Sequence, residues 1–267
     1  MARRLERAEE LRRFPGFRAM AWLCVVFLYA PILVIAAYSF NNIRSITVWG
    51  GFTFDWYGRV FRNAEIQQAT LNSLTVALVA ASVATVAATA AALAMARAWP
   101  FRGRAAAYAM INLPLMVPEI ISAVATLIFF ATVGIALGLH TVMLAHTVFC
   151  IPFAFLPIAA RLEGIDPIYE HAAADLYADP WQTFRHVTLP LMAPGIVAGF
   201  MLAFIISLDD FIITNMVAGP GATTLPVLIY GMVRTGFSPE INAVSTLLLG
   251  ISVLFVSLSY VIGRIRG

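Results

Sequence analysis

The sequence predicts an all-α integral membrane protein, with six transmembrane helices in a single domain that spans residues 1–267. Of the 267 residues, 61% are hydrophobic and only 12% are charged, whereas soluble domains carry about 25% charged residues. The apolar residues form runs of about 20, the length that a helix needs to cross a hydrocarbon core of ~30 Å. The predicted spans cover residues 20–40, 71–96, 105–131, 142–160, 196–217 and 243–262.

The first span follows a basic N-terminal tail. A signal peptide has a shorter apolar region that ends in a small-residue cleavage site, so we expect the run from Met20 to Phe40 to remain as a span. The polar loop from Asn41 to Thr70 is punctuated by aromatic residues, which suits the headgroup layer. These aromatic residues are Trp49, Phe52, Phe54, Trp56, Tyr57 and Phe61.

The middle spans differ in composition. The second span is rich in Ala and other small residues, which let helices approach closely in lipid, so we expect it at the centre of the bundle. Pro114 and Pro118 interrupt the third span and should bend it where it faces protein or water. The sixth span should begin as a helix at Ser238 and Pro239, a cap followed by a proline in the first turn.

The arginine distribution predicts the orientation. All 17 basic residues are Arg, and thirteen of them fall on the side that carries both termini. The other side holds only Arg44, Arg59, Arg62 and Arg234. Because positive residues are enriched in cytoplasmic loops, both termini and the segment 163–190 are expected in the cytoplasm. The net charge of +3 is too small and too scattered to indicate a nucleic-acid partner.

Residues 163–190 are the longest polar interruption in the second half of the chain. Acidic and small residues come first, a break follows near Tyr177 to Pro180, and Trp181 to Leu189 completes the segment. This pattern predicts two short helices that cross at a turn on the membrane surface. A small-residue face turned outward would suit docking into a cleft of a partner protein.

This segment resembles the EAA loop of bacterial ABC importer permeases, which couples them to a cytoplasmic ATPase. Ala178 fits the family pattern. His171 stands at the position where the family has an acidic residue, and Glu170 lies one position before it. Tyr177 replaces the turn glycine, although a Tyr does not adopt a positive φ as cheaply as Gly does. The resemblance implies ATPase coupling by Glu170, His171, Ala172, Ala173, Asp175, Leu176, Tyr177, Leu189 and Pro190.

Three acids lie within predicted spans: Glu119, Asp209 and Asp210. A charge at the centre of a bilayer costs about 2.5–3.5 kcal/mol on insertion scales, so the presence of these acids within spans needs a functional or structural explanation. Helical spacing places them on polar stripes, although Asp209 lies about 100° from its stripe. The stripes are Ser207, Asp210 and Thr214 in the fifth span, and Asn112, Glu119 and Ser122 in the third.

Every Arg lies in a tail, a loop or a span end, so we expect the acids to have no internal counter-ion and to need another source of positive charge. The functional hypothesis is that a cationic substrate passes between the two stripes. The alternatives are that the acids cap broken helices, meet an Arg of a partner subunit, or are protonated. His146 in the fourth span is expected to be a packing residue rather than a ligand.

The turn-rich segment after the fifth span is either an outer gate that folds back over the pathway or an ordinary surface loop. Its candidate gate residues are Gly219, Pro220, Gly221, Thr223 and Thr224. The sequence contains no P-loop, HExxH or Cys cluster, and we expect no catalytic residue and no metal site. Cys24 and Cys150 lie in apolar runs and should behave as small hydrophobes.

The wider chain resembles the polyamine importer permeases of the spermidine/putrescine type, and the TVWGGFTFDWYG segment looks closest to the putrescine-type second permease. The segments that carry the resemblance are YAPILVIAAYSFN from Tyr29, FDWYGRVF from Phe54, LPLMVPEI from Leu113, LAHTVFCIPF from Leu144, LAFIISLDDFIIT from Leu202, GPGATTLP from Gly219 and PEINAVSTLLLG from Pro239.

This resemblance implies a type I ABC importer permease of the bacterial inner membrane. It implies a heterodimer with a second homologous permease, a cytoplasmic ATPase dimer that binds ATP and Mg, and a periplasmic polyamine-binding protein. The chain itself would bind no cofactor and do no chemistry. Asp209, Asp210 and Glu119 would line or flank the pathway, and Gly219 to Pro226 would meet the outer gate or the binding protein.

Three alternatives stay open. Another small cation or an amino-acid-derived solute would be carried by the same kind of permease. A secondary transporter or channel would work without ATP and without the cytoplasmic segment. A membrane scaffold would use the acids to meet a partner's Arg, so that Asp210→Asn would impair assembly rather than transport.

Overall fold

The computed structural model describes residues 15–45, 48–97, 102–236 and 239–266. Within these ranges the regular structure is helical, apart from an isolated antiparallel bridge between Asn41 and Phe52. The predicted fold class is therefore confirmed as all-helical. The basic tail and Ser238, the predicted cap of the last span, lie outside the described residues.

The helices alternate between long spans and short connecting segments. In chain order they are α1 Pro15–Tyr38, α2 Asp55–Val60, α3 Ala64–Arg97, α4 Arg104–Met116, α5 Glu119–Val133, α6 Leu139–Glu163, α7 Ile168–Asp175, α8 Pro180–Thr183, α9 Leu189–Asp209, α10 Ile212–Val217, α11 Leu225–Thr235 and α12 Pro239–Arg266. Among the described residues, four helical stretches are long and apolar enough to cross a membrane. They are Gly16–Tyr38, Ala64–Arg97, Leu139–Glu163 and Pro180–Asp209.

Helices α3, α6 and α9 form the core. The alanines on one face of α3, among them Ala77, Ala84 and Ala88, are fully buried and pack in one cluster with aromatic side chains of α6 and α9. Helix α9 approaches α6 closely at Gly199, where an added Cβ would lie 2.6 Å from the carbonyl oxygen of Ala154. Small residues thus permit the contact, and the predicted central position of the second span is supported.

The third predicted span is bent at its second proline, as predicted, and the bend is a complete break. Helices α4 and α5 meet at an angle of 107°, and together they are long and apolar enough to form one span. Val117 is extended (φ −89°, ψ 131°) because the following Pro118 disfavours the helical region. The predicted stripe of Asn112, Glu119 and Ser122 is therefore wrong as one helix face, since Asn112 lies on α4 and the other two lie on α5.

The fifth predicted span also differs at both ends. Residues 180–209 form one helix of 30 residues, so the second helix of the polar segment is not separate from the span. Its π-helical turn, Phe184–Thr188, explains the continuity. There the N–H of Leu189 bonds to the carbonyl of Phe184, which carries the helix past the missing N–H of Pro190. At the other end the helix stops at Asp209, and α10 is a separate short helix.

Helices α1 and α12 lie at the edge of the core. Helix α1 is exposed along most of its length. In the described part of the chain, its main contact with another helix is with α12. Helix α12 begins at Pro239, as predicted, and also contacts α2 and α9. In the aromatic loop before α3, Trp56 is buried and its Nε1 donates to the carbonyl of Asn41 at 2.6 Å, so Trp56 is a core residue rather than a headgroup anchor.

Candidate substrate pathway and coupling surface

The break between α9 and α10 is built around Asp210. This residue has extended backbone (φ −65°, ψ 126°), and its Oδ1 accepts a hydrogen bond from the N–H of Thr214 at 3.0 Å. The carboxylate thereby satisfies one of the free N–H groups in the first turn of α10. One oxygen of Asp210 thus has the helix-capping role that was one alternative to substrate contact.

His146 of α6 joins both sides of this break. Its Nδ1 lies 2.8 Å from the hydroxyl of Ser207 on α9, and its Nε2 lies 2.8 Å from the hydroxyl of Thr214 on α10. The same Nε2 is 3.3 Å from Oδ1 of Asp210. The three residues of the predicted fifth-span stripe therefore converge on one imidazole. His146 is a hydrogen-bonded hub, not a simple packing residue, and Asp210 does have an internal partner, contrary to the expectation.

All three intramembrane acids line one cavity. Its volume is about 460 Å³, and Glu119 reaches it from the start of α5. Asp209 is exposed and lines the same cavity despite its angular offset from the stripe. The structure thus brings Glu119, Asp209 and Asp210 together. The remaining lining residues are Phe149, Phe153, Ile205, Ile206, Phe211 and Ile212.

The Asp210 carboxyl group is enclosed by the protein and lies next to that of Glu119. The residue is buried, and its Oδ2 makes no hydrogen bond to any residue that the structure describes. The carboxyl of Glu119 is close enough to Asp210 to interact with it electrostatically. Neighbouring carboxylates repel each other in a medium of low dielectric constant, so a cation placed between them would be attracted by both.

Other cavities of the described structure differ in chemistry. The cavity of about 820 Å³ near the ends of α3 and α6 is lined by Arg97 and Arg104 as well as Glu163, so its charges are mixed. A cavity of about 570 Å³ between α5 and α6 has an apolar lining without ionisable residues. Of these three, charge singles out the acid-lined cavity as the candidate site for a cation.

The predicted gate residues lie in a turn that follows α10, and we call residues 218–224 the outer turn. Asn72 of α3 donates to the carbonyls of Gly221 and Thr223, both at 2.9 Å. Gly219 packs so closely on Leu137 that a Cβ would lie 1.9 Å from its carbonyl oxygen. The outer turn is thus tied to α3 and to the segment before α6. Its other predicted residues are the exposed Pro220 and the buried Thr224.

At the other end of the bundle, α7 and α8 form the polar segment that was predicted as the coupling loop. Tyr177 lies in the turn between them with φ +59° and is 97% exposed. The turn therefore keeps a left-handed residue where the family pattern has glycine, at a cost of about 1–2 kcal/mol for a Tyr. Leu176 and Trp181 are exposed beside it. These three side chains form a protruding apolar tip.

The small residues of α7 do not share one exposed face. Ala172 is exposed and Ala173 is buried, so only part of the predicted small-residue face points outward. Of the remaining coupling residues, His171, Asp175 and Pro190 are exposed, and Leu189 is half-buried. The large side chains of the apolar tip are highly exposed instead.

Glu170 points back into the protein. Its Oε1 lies 3.1 Å from Nε of Arg97 at the end of α3 and accepts a hydrogen bond from the hydroxyl of Thr188 at 2.9 Å. Arg97 also donates to the carbonyl of Ile165 at 3.1 Å. Sequence analysis placed Glu170 among the coupling residues but missed Arg97 and Thr188, since no local spacing connects residues so far apart in the chain.

A protein-family model described as "Binding-protein-dependent transport system inner membrane component" matches residues 88–266. The chain is 42% identical over 244 residues to the putrescine transport system permease protein PotI of Escherichia coli K12, covering 89% of this chain and 87% of that protein. It is 38% identical over 254 residues to the spermidine/putrescine transport system permease protein PotC of Haemophilus influenzae, covering 95% and 98% respectively.

Solved structures share the fold. A chain of a bacterial ABC transporter involved in the import of the polysaccharide alginate superposes with a TM-score of 0.74 at 16% identity, covering 97% of this chain and 98% of that one. A chain of the MetNI methionine ABC transporter, in an inward-facing conformation, superposes with a TM-score of 0.64 at 21% identity, covering 81% and 100%.

Proposed function

Because the chain belongs to the family of binding-protein-dependent transport system inner membrane components, we propose that it is the permease subunit of an ATP-driven importer that carries putrescine or spermidine from the periplasm to the cytoplasm. The relatives named for these polyamines support the substrate class. The observation that carries the proposal in this chain is the cavity lined by Glu119, Asp209 and Asp210.

The lining of this cavity suits an organic cation with more than one ammonium group. Carboxylates attract ammonium groups most strongly where water is scarce, and Oδ2 of Asp210 is a buried acceptor that no described residue uses. The rings of Phe149, Phe153 and Phe211 add faces over which a cation is attracted by about 0.5–2 kcal/mol per well-placed contact. A neutral solute would gain little from three carboxyl groups.

The chain would contribute six spans to a heterodimer with a second homologous permease. These spans are α1, α3, the broken pair α4 and α5, α6, α9 with α10, and α12. The arginine distribution supports a cytoplasmic position for both termini and for the α7–α8 segment in a bacterial inner membrane. A cytoplasmic ATPase dimer would bind ATP and Mg, and a periplasmic polyamine-binding protein would deliver the cargo, so this chain would perform no chemical step.

The coupling route follows from helix continuity. The helix from Pro180 to Asp209 has 30 residues, so it is about 45 Å long at 1.5 Å per residue. The N-terminal end of this helix lies beside the apolar tip, and its C-terminal end lies at the acid-lined cavity. A displacement of the tip by the ATPase would therefore reach Asp210 through one continuous helix, while the Glu170–Arg97 contact would carry the same displacement into α3.

The test uses the complex of both permeases and the ATPase in lipid nanodiscs, together with its binding protein. ATP hydrolysis is measured without cargo, with putrescine, with spermidine, and with an amino-acid-derived cation as the alternative substrate class. Stimulation by one loaded binding protein identifies the cargo. Hydrolysis that ignores both polyamines but responds to the other cation would overturn the polyamine assignment and keep the importer.

A further inference from the structure

The break in the fifth span is held from outside by a single side chain of another span. His146 bonds to Ser207 before the break and to Thr214 after it, each at 2.8 Å. A break in a helix leaves N–H and carbonyl groups without their usual partners, and a membrane offers no water to replace them. Here the backbone N–H of Thr214 bonds to Oδ1 of Asp210, and His146 holds that carboxylate together with the side-chain hydroxyls on both sides of the break.

The two oxygens of Asp210 differ in their hydrogen-bond partners. Oδ1 lies beside Nε2 of His146 at 3.3 Å and accepts from the N–H of Thr214, so it faces the protein. Oδ2 has no hydrogen-bond partner among the described residues. In the neutral tautomer with its proton on Nε2, the imidazole donates towards Thr214 and Asp210 while Nδ1 accepts from Ser207, which satisfies both ring nitrogens.

We propose that His146 is a positioning residue of the transport site, which fixes the break and holds the Asp210 carboxyl group in place at the cavity that would take an ammonium group of the cargo. This inference rests on the proposed function, since it assigns a role within the same cavity. His146 does not line that cavity and is only 1% exposed, so it acts through Asp210 rather than by touching the cargo.

A packing role alone does not account for these contacts. An apolar side chain would fill the same space, but it would leave the hydroxyls of Ser207 and Thr214 without their imidazole partner. It would also remove the Nε2 neighbour of Oδ1 of Asp210, which would keep only the bonds donated by Thr214. Loss of the Nε2 contact should therefore affect cargo binding. Loss of the Nδ1 contact should affect mainly the α9 side of the break.

Two amide variants separate these contacts. In His146→Gln the side-chain amide reaches the position of Nε2, and in His146→Asn it reaches only that of Nδ1. Cys150→Ala is the matched control, because Cys150 lies one turn further on the same face of α6, is buried, and bonds to the carbonyl of Ala203 on α9 at 3.4 Å. It removes a buried contact between the same two helices without touching Asp210.

The measurement is equilibrium binding of labelled putrescine and spermidine to the purified complex trapped with a non-hydrolysable ATP analogue. We expect His146→Asn to weaken binding by about 10- to 100-fold, the effect of losing one hydrogen bond to a charged group. His146→Gln should stay within about threefold of the parent protein, and Cys150→Ala should bind as the parent does. Complex yield by size-exclusion chromatography accompanies each titration.

Equal binding by the Gln and Asn variants would overturn the proposal, as would failure of the Gln variant to assemble. Asp210→Asn serves as the reference for the proposed function itself. If Asp210→Asn binds polyamine as the parent does, the acid-lined site is wrong. If Asp210→Asn loses binding while His146→Asn keeps it, the site stands and only the positioning role of His146 fails.

Discussion

The contact between Glu170 and Arg97 should determine how well a push on α7 is passed to the transmembrane core. We consider the double-mutant cycle of Arg97→Met and Glu170→Gln. Both side chains are about a quarter exposed (24% and 23%), so solvent screening limits the ion pair. An exposed pair contributes about 0.2–1 kcal/mol, and the added hydrogen bonds place our expected coupling free energy near 1 kcal/mol.

The cycle is measured in two ways on the reconstituted complex. Thermal unfolding should give a coupling free energy of about 1 kcal/mol between the two positions. Polyamine uptake and ATP hydrolysis, measured together in proteoliposomes, should show fewer polyamines transported per ATP in each single variant. The double variant should be little worse than either one, because the same contact is already lost.

Arg161→Met is the control for this cycle. Arg161 also donates to a carbonyl, that of Leu191 at 2.9 Å, but this hydrogen bond joins α6 to α9 and does not involve α7. Its effect should add to that of Glu170→Gln without coupling. An additive cycle for Arg97 and Glu170, or an unchanged number of polyamines per ATP in Arg97→Met, would refute the role of this contact in transmission.

Three further predictions concern the ends and the core of the bundle. Tyr177→Gly should relieve about 1 kcal/mol of backbone strain and raise the thermal unfolding temperature, yet weaken ATPase binding in a pull-down titration; an unchanged ATPase affinity would exclude the apolar tip from the interface. Asn72→Ala should free the outer turn, which amide hydrogen exchange would detect as faster exchange there; equal exchange rates would contradict the tether. Gly199→Ala should destabilise the protein by about 1–3 kcal/mol, because its Cβ would meet a carbonyl of α6, whereas Gly231→Ala in open space should be neutral or stabilising by up to about 1 kcal/mol; equal unfolding temperatures for these two variants would contradict the close packing.

Local patterns were sufficient for the elements whose formation depends on their own residues. The helices α1, α3, α6 and α12 cover the apolar runs in which spans were predicted, since burial of long apolar segments in lipid does not depend on their partners. The buried alanine face of α3 also followed from composition, because small side chains are what close helix packing requires. The start of α12 at Pro239 followed from local helix chemistry.

Contacts between distant residues were not predictable in the same way. Periodicity placed Ser207, Asp210 and Thr214 on one helix face, which is wrong because the helix breaks at Asp210, although the three residues do meet at His146. It did not indicate that His146, on another span, would meet all three. The pairing of Arg97 with Glu170 was missed for the same reason. Single-sequence spacing describes one helix at a time, and these contacts depend on how two helices cross.

The sequence by itself determined that this chain is an all-helical membrane protein with intramembrane acids and a polar segment between two spans, because hydropathy and residue type act locally. Only the tertiary structure decided that the third span turns by as much as 107° at Pro118, that the helix from Pro180 runs on to Asp209, and that three carboxyl groups share one cavity. Those outcomes depend on backbone hydrogen bonds being satisfied across neighbouring helices, a condition that involves residues far apart in the chain.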